Sequence, residues 1–132
     1  MKYLWILLIV LFLSFNARVG ELESTEVAKI NFESLFSGNL EVAMEVVDIP
    51  YSFDRKKIIK NKKDLFELHK RLTSYHKKVP AYLIEKGKRF TKLDPSEFKE
   101  KYDVVRFNID GEGINIYTQK KGENYKVIGF SD

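Results

Sequence analysis

The sequence predicts a single α+β domain in which helices cover one face of an antiparallel sheet. Between Asp103 and Phe130, three runs of alternating apolar and polar residues are separated by short turn sequences, which is typical of an antiparallel meander. Upstream segments carry apolar residues at helical spacing, and they are the elements available to cover the sheet. The chain has 132 residues, including ten Phe, seven Tyr and one Trp, which is enough apolar material for one core.

Composition excludes several classes of function. The absence of cysteine rules out a disulfide, a thiolate nucleophile and a Cys-ligated metal site. The formal net charge of +4 falls to +2 when Lys2 and Arg18, the charged residues of the first 20, are left out. Because this balance is close to neutral and the lysine clusters lie among acidic residues, we interpret the clusters as solubilising surface. We expect neither a nucleic-acid partner nor a cofactor.

Residues 1–20 have the pattern of an export signal. Lys2 provides a basic start, and an apolar run from Leu4 to Phe15 follows it. As a helix this run would cover about 18 Å, which is short of a hydrocarbon core of roughly 30 Å. We predict cleavage between Ala17 and Gly20, which leaves residues 21–132 as one periplasmic or extracellular domain that meets a membrane only through its leader. The alternative is an uncleaved leader that anchors the domain.

Two helices are predicted at the start of the domain. Ser24 or Thr25 can cap the first helix, which runs to about Phe36. Gly38 ends this helix, and Asn39 can cap a second, shorter one.

A third helix is predicted to begin at Asn61, with Asp64 in the place of a capping-box acid. Two histidines of this helix are seven residues apart, about 10 Å along the axis, so they cannot share a metal ion and no metal site is expected. The predicted inward stripe consists of Leu65, Leu68, His69, Leu72, Tyr75 and His76.

The remaining elements are strands and one short helix. Residues 49–53 alternate in polarity and contain Pro50, which predicts a short edge strand because proline cannot donate to a central ladder. A two-residue turn at 54–55 leads into a second strand. Residues 79–90 predict a longer strand, bent near Gly87, with Tyr82 and Ile84 on the same side.

The last part of the chain begins with a helix signal at residues 94–97, which predicts one or two turns through Tyr102. Three strands follow at 103–110, 114–119 and 125–130. The turns between them, at 110–113 and 121–124, contain glycines that tolerate positive φ.

The order of elements resembles the nuclear transport factor two-like superfamily, which includes ketosteroid isomerases and SnoaL-like polyketide cyclases. The local resemblance lies in residues 37–41 with 49–54 and in residues 125–132, and the order covers nearly the whole of 21–132. The resemblance implies a cone-like, cystatin-like roll, in which a curved antiparallel sheet wraps around three N-terminal helices. In one departure from the family pattern, Arg55 stands where a glycine is expected after Asp54.

The resemblance also implies a ligand pocket at the open mouth of the cone and a homodimer formed through the outer face of the sheet. Each candidate residue has a simpler interpretation as part of the core, and for His69 this is a histidine at the core edge with one nitrogen bonded to the backbone. The candidate pocket residues are Tyr51, Phe53, His69, Tyr82, Phe107 and Tyr117.

The predicted function is an exported, non-catalytic module that binds a small apolar ligand or another protein chain. The first alternative is a small isomerase, cyclase or hydrolase, which needs a buried carboxylate within hydrogen-bond reach of a tyrosine or His69. The residues available for it are Asp48 or Asp103 as the base, with Tyr51 or Tyr82 as the donor. The second alternative is a structural or inhibitory domain with a filled interior.

Overall fold

The computed structural model describes residues 23–85 and 92–132, and the predicted export signal lies outside this part of the chain. The predicted α+β class is confirmed. The helices are α1 (Ser24–Ser37), α2 (Leu40–Glu45) and α3 (Lys62–Ser74), and the strands are β1 (Val47–Phe53), β2 (Lys57–Ile59), β3 (Leu83–Glu85), β4 (Asp103–Ile109), β5 (Glu112–Lys121) and β6 (Asn124–Ser131).

The six strands form one curved, unclosed sheet in the order β2-β1-β6-β5-β4-β3. Neighbouring strands are antiparallel except β1 and β6, which are parallel. The prediction of an antiparallel sheet was therefore wrong for this pair. Parallel neighbours need a long connection, and here β2, α3, β3, β4 and β5 lie between β1 and β6 along the chain.

The predicted meander is confirmed, with a tighter first turn than expected. Ile109 pairs with Glu112, so the loop consists of Asp110 and Gly111 alone. Their φ angles of 51° and 88° are both positive, as the two central residues of a type I′ hairpin turn require.

The first three predicted helices are confirmed, and the residues at their N-terminal ends cap them through local hydrogen bonds. The cap of α1 is Glu23 rather than Ser24 or Thr25, because the carboxylate of Glu26 accepts the Glu23 backbone N–H at 3.2 Å. Asn39 and Asn61 cap α2 and α3 as predicted, each accepting a backbone N–H from the residue three positions on, at 3.2 and 2.8 Å.

β1 is not an edge strand, since it lies between β2 and β6. The prediction failed because Pro50 falls where the ladder is interrupted. Pairing with β6 shifts register between Val47 and Ser52, and pairing with β2 begins at Tyr51. No ladder bond is therefore required from position 50, and the proline is tolerated inside the sheet.

The strand expected at 79–90 is present in part. Among its described residues, 79–85, the strand is β3, and the remainder with the bend expected near Gly87 lies outside the described part of the chain. Tyr82 and Ile84 pack on the core side as predicted, whereas Leu83 is 74 % exposed.

The helix expected through Tyr102 was also wrong, because residues 95–97 form a single turn. The carbonyl of Asp94 accepts the N–H groups of Glu97 and Phe98 at 3.1 and 2.9 Å, and the helix stops there. Phe98 is buried against the sheet directly after this turn, and the following residues run irregularly to β4.

The sheet has an apolar cluster on each face. The larger cluster packs under the helices and includes Phe32, Leu65, Phe107 and Ile116. The smaller cluster, on the outer face, consists of Leu93, Phe98, Tyr117 and Ile128. The segment after residue 92 therefore covers part of the outer face.

The inward stripe predicted for α3 is correct through Leu72, which is partly buried and packs against the larger apolar cluster. Leu65, Leu68 and His69 are buried, but Tyr75 is 70 % exposed and His76 is also exposed. The reason is that α3 ends at Ser74, so the helical periodicity no longer applies beyond it.

Replacing Arg55 with glycine is expected to raise the free energy of unfolding by about 0.5–1 kcal/mol. Asp54 and Arg55 both have positive φ, 55° and 60°. A left-handed residue other than glycine costs roughly 1–2 kcal/mol, and glycine's greater freedom in the unfolded chain takes back about 0.4–1 kcal/mol. Urea unfolding followed by circular dichroism would measure the change. Lys56→Gly is the matched control, which should destabilise the protein, and equal effects of the two substitutions would contradict the argument.

Candidate functional site

A cavity of about 630 Å³ lies between the C-terminal ends of α1 and α3 and the β4–β5 turn. We call it the large cavity. Its lining combines apolar side chains, a histidine and three charged groups. The lining residues are Phe36, His76, Arg106, Ile109, Glu112, Gly113, Ile114, Phe130 and Asp132.

The apolar wall of the large cavity is continuous with the core. Phe36, Ile109, Ile114 and Phe130 are partly buried and pack against the larger apolar cluster. The ring of His76 lies against that of Phe36, with 4.5 Å between the ring centroids. This wall is held in place by packing, so the cavity is preformed.

Arg106 is held in a fixed position at the large cavity. Its Nε donates to Oε1 of Glu85 at 3.2 Å, and its Nη1 donates to Oδ1 of Asn115 at 3.0 Å. Asn108 donates to the other carboxylate oxygen of Glu85 at 2.7 Å. Glu85 and Arg106 are about a quarter exposed, with side-chain values of 24 and 28 %.

The guanidinium of Arg106 packs against Gly113. A Cβ at position 113 would overlap Cζ and Nη2 of Arg106. A side chain at position 113 would therefore require the Arg106 guanidinium to move, whereas the backbone angle there is an ordinary one. The sequence indicated only a turn glycine here, because the contact depends on the pairing register of β4 and β5.

The polar groups around Arg106 continue across the outer face of β5 and β6. Nδ2 of Asn115 donates to Oγ of Ser131 at 3.4 Å, and the Tyr117 hydroxyl lies 3.1 Å from the same oxygen. Asn115, Tyr117 and Ser131 are buried. The arginine is thus anchored to a buried network on one side and to Glu85 on the other.

The six residues predicted for the pocket are not in the lining of the large cavity. Tyr51, Phe107 and His69 are fully buried on the helix side of the sheet, and Tyr117 is buried on the opposite face. Two of the six have a neighbour in the lining: the Phe53 ring stacks on that of Phe130 at 5.9 Å, and Phe107 pairs with Ile114 across β4 and β5. Contact of these residues with a ligand stays a prediction.

Tyr82 and Phe107 are part of an aromatic group around Phe32. The Phe107 ring stacks on Phe32 at 4.4 Å, and Tyr82 meets both rings edge-on at 4.8 and 5.2 Å. The Tyr82 hydroxyl donates to a carboxylate oxygen of Glu33 at 2.6 Å. Partial burial, together with this hydrogen bond and the charge of Glu33, raises the pKa of Tyr82 to about 12.

His69 makes the backbone hydrogen bond predicted for a core histidine, but it is fully buried and does not lie at the core edge. Its Nδ1 donates to the carbonyl of Leu65 at 2.9 Å, and its ring meets that of Tyr51 edge-on at 5.2 Å. Burial lowers the pKa of His69, although the bond to Leu65 acts in the opposite direction. Nε2 of His69 and the hydroxyl of Tyr51 are buried without a hydrogen-bond partner among the described residues.

Acid–base catalysis would need a buried carboxylate beside one of these groups. Every Asp and Glu in residues 23–85 and 92–132 is at least partly exposed. Asp48 accepts the Ile49 backbone N–H at 2.8 Å and pairs with Lys62 at 3.3 Å, as a surface carboxylate does. The described residues therefore give the catalytic alternative no support.

A second cavity, of about 280 Å³, lies at the opposite end of the meander. Unlike the large cavity, it has no aliphatic side chain of an apolar residue in its lining. Its lining residues are Lys101, Tyr102, Asp103, Lys120 and Tyr125.

From the sequence, most residues of the large cavity were placed in helices, strands or the 110–113 turn, but they were not identified as a site. The signal that could have indicated them is position, because Phe36, Ile109 and Phe130 are the last apolar residues before an element ends. Apolar residues at the ends of neighbouring elements leave a gap wherever the following turn does not cover them.

No helix in the described part of the chain is long and apolar enough to span a membrane. Comparisons with family models, with curated proteins and with solved structures found no match to this chain.

Proposed function

We propose that this protein is an exported, non-catalytic binding module that takes a small apolar ligand into the large cavity. The observation that carries the proposal is the cavity itself. Its volume of about 630 Å³ lies within the roughly 300–1,000 Å³ of small-molecule sites. Its lining is also of the usual kind, with aliphatic and aromatic walls and a few fixed polar groups.

The fold supports a related proposal, that the domain is a cone-like roll of the nuclear transport factor two-like type. A curved, unclosed sheet with helices on one face fits that description. In such a cone the large cavity would be the mouth, because it opens between the ends of α1 and α3 and the β4–β5 turn.

Export is proposed from the leader alone. The intact mass of the protein recovered from outside the cytoplasm tests it, with loss of residues up to 17–20 as the expected result. Retention of the apolar run from Leu4 to Phe15 would instead favour the anchored form.

A homodimer through the outer face of the sheet is a weaker proposal. The small cluster of Leu93, Phe98, Tyr117 and Ile128 already covers part of that face. A second copy would meet mainly polar groups around Arg106, and such surfaces are poor in the apolar area that stable dimers use.

The ligand proposal predicts that the purified protein binds the neutral apolar dye Nile red and enhances its fluorescence. Ile109→Trp should weaken this binding at least tenfold, because the larger side chain occupies the large cavity. Titration of the dye, with circular dichroism to check folding, measures the effect.

Leu83→Ser is the matched control, because Leu83 is the most exposed of the large apolar side chains in the described part of the chain. It should leave dye binding unchanged. Binding that is lost in Leu83→Ser and kept in Ile109→Trp would show that the dye binds exposed surface, and the proposal would be withdrawn.

A further inference from the structure

We propose that the ligand of the large cavity is a zwitterion with an apolar body, of the class of an apolar dipeptide. This inference rests on the proposed function and names its ligand class. It follows from the charged groups of the lining, which are one arginine and two carboxylates at separate positions.

The positive group is Arg106, and it is preorganised. Glu85 and Asn115 engage Nε and Nη1, while Nη2 makes no hydrogen bond to a described residue. Because the guanidinium is already held against Gly113, a ligand does not have to order it. Its remaining N–H groups are suited to a carboxylate oxygen.

The negative groups are Glu112 and Asp132. Both are exposed at the lining of the large cavity, and neither side chain makes a hydrogen bond or ion pair with another described residue. These two carboxylates share the lining with the rings of Phe36 and Phe130, and carboxylates together with aromatic rings are suited to an ammonium group.

These charges disfavour a ligand with only one sign of charge. A simple carboxylate would meet Arg106 but would be repelled by Glu112 and Asp132, and Glu85 already offsets much of the arginine's charge. A simple amine would leave the Nη2 donors of Arg106 without an acceptor. A zwitterion satisfies both sets of groups.

The apolar wall and the volume set the rest of the ligand. Side chains of the ligand would lie against Phe36, Ile109, Ile114 and Phe130, which form the continuous apolar part of the lining. A cavity of about 630 Å³ accepts a drug-sized molecule, and a dipeptide is of that size.

The test compares three probes that differ only at their ends. These are leucyl-phenylalanine, its N-acetyl derivative, which lacks the ammonium group, and its C-terminal amide, which lacks the carboxylate. Calorimetric titration of the purified protein should show the free dipeptide binding at least tenfold more tightly than either derivative. Equal binding by either derivative would overturn the inference.

Substitutions in the lining test which residues bind the carboxylate end and the ammonium end of the dipeptide. Arg106→Gln should remove the advantage of the free dipeptide over its amide, and Glu112→Gln combined with Asp132→Asn should remove its advantage over the acetyl form. Because Arg106 also binds Glu85, Gly113→Ala provides an independent route, as its Cβ displaces the guanidinium while the arginine is kept. It should act in the same direction as Arg106→Gln, and an unchanged ratio in both variants would contradict the role of Arg106.

The outcomes separate this inference from the proposed function. If Nile red binds and none of the three probes does, the cavity is a site for apolar molecules and the zwitterion inference fails. If neither the dye nor the probes bind, both proposals fail.

Discussion

Replacing Phe32 with alanine is expected to lower the free energy of unfolding by about 3–5 kcal/mol. Phe32 is fully buried, and its ring contacts those of Phe36, Tyr82 and Phe107 at centroid distances of 4.6, 4.8 and 4.4 Å. The substitution removes the central ring of this aromatic group and leaves a cavity. The three remaining rings belong to both the helix layer and the sheet layer, so they cannot move together to fill it. Since small domains are stable by only about 5–15 kcal/mol, much of the stability would be lost.

Urea unfolding followed by circular dichroism measures this effect. Phe32→Leu should cost less, because leucine fills part of the space. Phe66→Ala is the matched control, since Phe66 is 41 % exposed on α3 and should change stability only slightly. A loss of less than about 1 kcal/mol in Phe32→Ala would show that the packing around Phe32 is not as described.

Helices and turns could be predicted because their signals are local. Asn39 and Asn61 cap their helices through atoms three residues away, and Gly38 ends α1 with a positive φ of 81°. The Asp110-Gly111 turn follows in the same way from two residues that tolerate positive φ. Where a local signal failed, as in the helix after Asp94, burial of Phe98 against the sheet took precedence.

The position of β1 and the large cavity could not be predicted because they depend on distant contacts. Pro50 indicates an edge strand in isolation, and only the interrupted pairing with β6 shows why it is tolerated inside the sheet. From the sequence, Arg106 was an ordinary residue on the polar face of a strand, and Gly113 was only a turn glycine. Their contact requires the register that pairs Arg106 with Asn115, which no short stretch of sequence encodes.

The free energy of unfolding is expected to fall by up to about 1.4 kcal/mol between pH 7.5 and pH 5.5 because of His69. Burial lowers the pKa of His69 in the folded protein, whereas in the unfolded chain the pKa is near 6.5. Below pH 6.5 the unfolded chain therefore binds a proton that the folded protein does not. The contribution of neutral His69 to stability is therefore fully present above the pKa of His69 in the unfolded chain. It is lost as the pH falls toward the lower pKa of His69 in the folded protein.

His69→Leu tests the source of this pH dependence. Urea unfolding of the variant should show little change in stability between pH 7.5 and 5.5, because leucine does not titrate and also removes the buried Nε2, which has no partner among the described residues. His76→Gln is the matched control, since His76 is exposed and its loss should leave the slope of the wild type. If His76→Gln flattened the profile and His69→Leu did not, the proton would bind at the edge of the large cavity, and His69 would have no part in the acid response.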